Sequence, residues 1–295
     1  MDLIKQLING LQAGSIFALV ALGYTMVYGI VKLINFAHGD IIMVGAYFSL
    51  MAIPMLSSVG LPLWLCAIVA AALCAILGVV TERVAYKPLR NSPRISALIT
   101  AIGVSLLLQN AFMLLFSATP KPYPSIFGKD SITLGDGFTV SYITILTIVV
   151  TVVLMVLLQM FIKRTRVGKS MRAVSEDAGA AQLMGINVNN TISITFAIGS
   201  ALAAVAAVLY SAAYPLIDPY MGSFLGIKAF VAAVLGGIGS IPGAMIGGFT
   251  IGIVESLTKA YISSQISDAV VFLLLILVLL IKPTGIMGKN IGEKV

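Results

Sequence analysis

Charge is what this chain has least of. Only 10% of its 295 residues are Asp, Glu, Lys or Arg, whereas 59% are hydrophobic, and the mean hydropathy is +1.07. A soluble domain carries about 25% charged residues, so this composition cannot cover a surface that faces water. Histidine occurs once, as His38, and cysteine twice, as Cys66 and Cys74. A metal site needs several converging nitrogen, sulfur or oxygen ligands. His38 with Asp40 supplies at most two, so no metal site is expected. The sequence holds no Cys-x-x-Cys, no His-Glu-x-x-His and no Walker lysine motif, the short patterns that carry redox, zinc and nucleotide chemistry. Neither a catalytic constellation nor a cofactor site is therefore expected. The two cysteines stand eight residues apart on one expected helix, about 12 Å at a rise of about 1.5 Å per residue. That is too far to bridge, and both read as small buried apolar residues.

Long hydrophobic runs take the place of charge. Lipid requires backbones that satisfy their own hydrogen bonds, so only helices and closed barrels span it. The runs here are continuous rather than alternating, which selects helices. Spans are expected near 7–31, 62–81, 95–116, 143–162, 191–214 and 267–281, and two further apolar regions, 35–56 and 225–259, are broken by glycine. Full crossing by both broken regions gives nine spans with the N-terminus outside, whereas one re-entrant region lowers the count to eight. The first run is longer than a signal-peptide core of about 7–15 residues and reads as a retained span.

The net charge of +7 reports topology and is not a signal for nucleic acid. Arg83, Lys87, Arg90 and Arg94 form one basic loop, residues 163–172 a second, and Lys282, Lys289 and Lys294 a third at the C-terminus. The positive-inside rule puts all three in the cytoplasm. Loops 117–142 and 215–224 hold only Lys121 and Lys129 and fall outside. Trp64, Tyr123, Tyr142, Tyr214, Tyr220 and Tyr261 sit at those outer ends, as an interfacial aromatic belt does.

Three features of this frame suggest function. First, the hydrophilic loop 163–190 starts with a basic run that meets lipid headgroups and continues as Glu176-Asp177-Ala178-Gly179-Ala180-Ala181-Gln182-Leu183-Met184-Gly185. A helix over 176–185 is expected, stopped by Gly185. Its small Ala180 and Ala181, with Leu183 and Met184 as anchors, suit docking in a groove of a soluble partner. Second, glycine-interrupted segments occur in each half, at Asn35–Asp40 and at Gly236, Gly237 and Gly239. Such pairs point to the route of a repeat-built transporter, while close helix packing is the other reading, which Gly243/Gly247 and Gly248/Gly252 fit. Asn35, His38, Asp40, Gly236, Gly237 and Gly239 are the pathway candidates. Third, Asp40 and Glu255 are the only acids expected inside spans, each near a run's end. Ion-coupled carriers place acids deep in their spans, so an external energy source is favoured.

Four stretches are familiar together. Gly10-Leu11-Gln12-Ala13-Gly14-Ser15-Ile16-Phe17-Ala18-Leu19 with Ile34-Asn35-Phe36-Ala37-His38-Gly39-Asp40 comes first. Glu82-Arg83-Val84-Ala85-Tyr86-Lys87-Pro88-Leu89-Arg90 follows, then Gly168–Val174 through Met184–Asn187, and last Gly226–Phe230 through Gly236–Ala244. In this order they resemble the LivH-type permeases, membrane subunits of bacterial branched-chain amino-acid ABC importers. The resemblance covers nearly the whole chain. It implies an all-α, polytopic transmembrane bundle of eight or nine spans with the ABC-importer permease fold, forming a single permease domain over 1–295 in the inner membrane.

It further implies a second, LivM-type permease subunit, two cytoplasmic ATP-binding subunits and an extracytoplasmic substrate-binding protein as partners. ATP hydrolysis would then lie in those subunits and not here. The usual ABC coupling pattern is Glu-Ala-Ala, three residues, then Gly. Here Gly179 stands where glutamate is usual, ahead of Ala180, Ala181 and Gly185, and Glu176 or Asp177 is the candidate replacement charge. The solutes expected from the resemblance are leucine, isoleucine and valine. The alternatives are another amino acid or a short amide such as urea and, from another class, a stand-alone ion-coupled carrier.

Overall fold

Apolar runs of this length fold as helices because each backbone amide must find its partner within its own segment. The computed structural model describes residues 2–32, 35–90, 92–128, 131–133 and 139–288. Ile34, Lys129, Lys289 and Lys294, named above, lie outside the described residues. Among the described residues the apolar helices are α1 (Asp2–Val31), α2 (His38–Val59), α3 (Cys66–Thr81), α4 (Arg94–Phe116), α5 (Tyr142–Arg164), α8 (Val188–Ala213), α9 (Met221–Gly236), α10 (Ile241–Tyr261) and α11 (Ser267–Ile281). Two polar helices, α6 (Arg166–Glu176) and α7 (Ala178–Leu183), stand between α5 and α8. Among the described residues seven segments are long and apolar enough to cross a membrane, while α9 and α11 are shorter apolar helices.

The broken regions behave differently from one another. Region 35–56 becomes one continuous helix from His38 onward, with Pro54 inside it. Region 225–259 divides into α9 and α10 at Gly237–Ser240. Its glycines work as the packing reading requires. Gly243 and Gly247 face α9, where a Cβ on Gly243 would strike Gly236, and Gly248 faces α1, where a Cβ would come within 2.6 Å of the Ala18 backbone. Helices α1 and α10 run antiparallel along this seam, from Gly10 beside Ile253 to Gly29 beside Gly239. Small residues substitute here for the hydrophobic drive that lipid removes.

Helix α1 is the most enclosed, packed by α5, α8, α9 and α10. Helices α3, α4 and α5 leave most of their apolar surface exposed, as lipid-facing helices do. The opposite ends of the bundle differ in charge. Val27, Tyr86 and Ile192 form a buried cluster with Ile30 and Val31 at one end. The basic residues Arg83, Lys87 and Arg90 follow α3 at that end, and Arg90 donates to Asn189 at the start of α8. Residues 284–288 return there too, with Ile286 and Met287 donating to the last carbonyls of α9. At the other end Lys121 and Pro122 pair antiparallel with Leu216 and Ile217, and residues 131–133 pair with 139–141.

Candidate functional site

The loop 163–190 folds into two helices, not one. Helix α6 buries Gly168, Met171 and Val174 and exposes Arg166, Lys169 and Arg172, an amphipathic helix lying on the basic end. It closes at Glu176, so the expected single helix over 176–185 is corrected. Asp177 breaks the path with extended backbone, and its carboxylate accepts from the Ala180 amide at 2.9 Å. An N-cap of this kind satisfies an orphan amide and favours a new helix start. Gly185 does stop α7: its φ is +81°, its amide donates to Gln182 O, and Ile186 donates to Ala181 O. Ala181 is buried, whereas Leu183 is 90% and Met184 83% exposed. Ala180 and Glu176 are exposed as well. Beside α7 a groove of about 620 Å³ is lined by Lys87, Arg90, Gln182, Gly185 and Asn187–Asn189.

Asn35, His38 and Asp40 are all buried, so none faces lipid. They do not form one cluster. Asn35 Oδ1 accepts from the Tyr86 hydroxyl at 2.6 Å. His38 lies edge-on to Tyr24, with ring centroids 4.8 Å apart, and fills the space left by Gly23. Gly23 precedes the end of α1 by eight residues, roughly 12 Å at about 1.5 Å per residue. Helix α2 therefore begins inside the bundle, well above the basic end. Asp40 lies in its first turn, where a carboxylate meets the positive end of the helix dipole. Its Oδ1 accepts from Gln109 Nε2 at 2.9 Å, and the same amide donates to Ser223 at 2.9 Å.

The glycine break lies elsewhere, in the turn from α9 to α10 at the basic end. Gly236 touches Gly243, Gly237 touches Gly288, and Gly239 has open space at its Cβ position. Gly237 and Gly239 both have positive φ, at +101° and +95°, backbone that glycine alone adopts readily.

Two sets of ion pairs were not read from the sequence, although Glu82, Arg90 and Glu255 were named in it. Glu82, fully buried, is ion-paired to Arg90 and accepts from Ser193 at 2.6 Å. At the opposite end, Lys228 on α9 joins Glu255 on α10 at 2.8 Å and Asp268 on α11 at 2.7 Å, and Lys259 also reaches Glu255, at 2.5 Å. Lys228 stands in an apolar run, and an ionisable residue in a span is a functional signal by default. That signal was readable, but its partners were not.

Comparisons with known proteins bear on the family. A family model described as "Branched-chain amino acid transport system / permease component" matches residues 6–279. The chain is 49% identical to the high-affinity branched-chain amino acid transport system permease protein BraD of Pseudomonas aeruginosa, covering 99% of this chain and 98% of that one. It is 47% identical to the permease protein LivH of Escherichia coli K12, covering 99% and 97%. A probable branched-chain amino acid transport permease, LivH of Methanocaldococcus jannaschii, is 30% identical over 94% and 90%. A solved chain of PsaBC from Streptococcus pneumoniae aligns with TM-score 0.48 at 16% identity, covering 94% of this chain and 91% of that chain. A family match along nearly the whole helical bundle, with full-length relatives at 47–49% identity, places the chain in the family of permease components of branched-chain amino acid transport systems.

Proposed function

We propose that this chain is the membrane permease subunit of an ATP-driven importer that carries leucine, isoleucine and valine into the cell by alternating access, within the inner membrane and as one permease domain over 1–295. The observation that carries the reading is near-half identity, over whole chains, to permeases named for high-affinity branched-chain amino acid transport. Its partners are a LivM-type permease, two cytoplasmic ATP-binding subunits and an extracytoplasmic substrate-binding protein.

Helix α7 is the element that docks the ATPase. Leu183 and Met184 project from it without cover among the described residues, and apolar anchors on a short helix suit a groove in a partner. Asp177 starts that helix and Gly185 ends it; Ala180 and Ala181 keep it slim. Glu176, which closes α6, supplies a neighbouring charge. Asn35, His38 and Asp40 border the solute route. Irregular backbone at membrane depth is tolerated where it is covered by protein or lines a water-filled cavity, and residues 35–37 are such a segment. The turn at Gly236, Gly237 and Gly239 forms the inner end of the same wall.

The test is purification with the neighbouring permease, ATPases and binding protein, followed by reconstitution in proteoliposomes. Uptake and ATPase stimulation are then measured with leucine, isoleucine, valine, a charged amino acid and urea. Stimulation and uptake with the three aliphatic amino acids are expected. A response to urea or the charged amino acid alone would reassign the substrate. Uptake that persists without the ATPases would overturn the importer reading.

A further inference from the structure

The ion cluster at the end opposite the basic loops borders a cavity of about 360 Å³ between α1, the end of α8, the segment leading into α9, and α9 and α10 themselves. Lys228 and Glu255 form part of its wall, with Lys259 beside them. The remainder is mixed: Asp218 and the tyrosines Tyr210, Tyr214 and Tyr220 add polar groups, Phe17 and Leu225 are buried, and Phe224 stands exposed at the rim. Lys228 Nζ lies 6.0 Å from the centre of the Phe17 ring.

The wiring of the cluster is incomplete in one place. Glu255 Oε1 takes both lysines, at 2.8 Å from Lys228 and 2.5 Å from Lys259. Glu255 Oε2 is buried and has no hydrogen-bond partner among the described residues. A buried carboxylate oxygen without a donor is costly to keep. Here Glu255, a residue of the cavity wall, keeps one oxygen without a donor among the described residues.

We propose that this cavity is a binding site for an α-amino acid zwitterion with an aliphatic side chain. The α-ammonium completes Glu255 Oε2. The α-carboxylate lies against Lys228 and Lys259, and the aliphatic chain lies among Phe17, Phe224 and Leu225. A formally neutral zwitterion leaves the charge balance of the cluster unchanged, whereas a lone cation or anion would not. The site sits where a solute released at the outer face first meets the bundle. The proposal rests on the import reading above and locates where that solute is first held.

The test uses the assembled wild-type complex and a diazirine analogue of L-leucine, which keeps both charges and places the photoreactive group on the side chain. After irradiation, adducts are mapped by mass spectrometry. They are expected on Phe17, Phe224 or Leu225, and excess L-leucine should abolish them. Isoamylamine, without the carboxylate, and 4-methylpentanoate, without the ammonium, should not compete at the same concentration. Glu255→Gln should lower the adduct yield at least tenfold in complexes that still assemble. If that variant fails to assemble, the wild-type adduct map and the two competitors decide alone. Adducts confined to other helices, or equal competition by either singly charged analogue, would overturn the site. Leucine uptake by the same proteoliposomes separates the two readings. Uptake without adducts in this cavity removes the site and leaves the importer, whereas absence of ATP-dependent uptake of any aliphatic amino acid removes both.

Discussion

Glu82→Ala should loosen the basic end of the bundle. Glu82 follows directly on α3, and its carboxylate is buried between Ser193 of α8 and the Arg90 guanidinium. Arg90 also donates to Asn189 Oδ1 at 2.5 Å. Glu82 thus ties the end of α3 to the start of α8, directly and through Arg90, which lines the groove beside α7 with Asn189. Removing one partner of a buried ion pair costs about 3–5 kcal/mol. Arg90 keeps 19% of its side chain exposed and regains some hydration, so the lower end, about 3 kcal/mol, is the working value. At about 1.4 kcal/mol per decade, the folded-to-unfolded ratio falls by about two decades. For a chain of this size, about 2–4 °C of Tm per kcal/mol makes the shift about 6–12 °C. The assay is thermal unfolding of the purified complex in detergent. Glu82→Gln should lose less, because its amide oxygen still accepts from Ser193. Adding Arg90→Ala to Glu82→Ala should recover part of the loss, since the unpaired cation is gone. A Glu82→Ala shift below about 2 °C, or a double variant no more stable than the single one, would refute the reasoning.

Gly185→Leu should loosen the end of α7 by about 1–2 kcal/mol, the usual cost of left-handed backbone with a side chain. Nothing in the chain lies within 4 Å of the new Cβ, so a loss of ATPase binding with unchanged permease stability is expected; unchanged uptake and ATPase binding would refute the docking assignment. Single cysteines at Ser92, Ser170 and Ser125 in a background without Cys66 and Cys74 should label with an impermeant maleimide from outside only at Ser125, and labelling at Ser170 in sealed cells would invert the topology. Asn35→Leu and Asp40→Leu should each cut uptake per assembled complex about tenfold, corresponding to about 1.4 kcal/mol, while basal ATPase activity persists. Normal uptake per complex in both would leave those residues as packing features.

Much of the bundle could be read in advance because lipid imposes a simple rule. A continuous apolar run must be a helix, and the expected 267–281 and 95–116 differ from α11 and α4 by no more than a residue at either end. The gathering of cations at one end was readable for a related reason. Arg83, Lys87, Arg90, the 163–172 run and Lys282 converge on one end of the bundle, as the positive-inside rule expects of them. The loop between α5 and α8 was read less well. Glu176, Asp177 and the alanines beyond look like one helix start, because all but glycine there are acceptable helix residues. The deciding contact is local: an Asp177 carboxylate reaches the amide three residues on. Asp at an N-cap is itself a start signal, and it competes with the helix that would run through it.

Tertiary pairing of polar groups was not readable, and the reason is geometric. Asp40 and Gln109 are separated by 69 positions, and Lys228 and Asp268 by 40. Periodicity places a residue on a face of its own helix but carries no information about which helix lies opposite. Asn35, His38 and Asp40 looked like a triad because they are adjacent in sequence. A helix that starts between them sends them in different directions: Asn35 toward Tyr86, His38 toward α1, and Asp40 toward α4 and α9. Glu255 shows the converse. It was expected inside a span, near the end of an apolar run, and that position counted against ion coupling without naming a partner. It is buried against two lysines with one oxygen unmet. In lipid, position along a span therefore says less about a charge than the number of its oxygens that find donors.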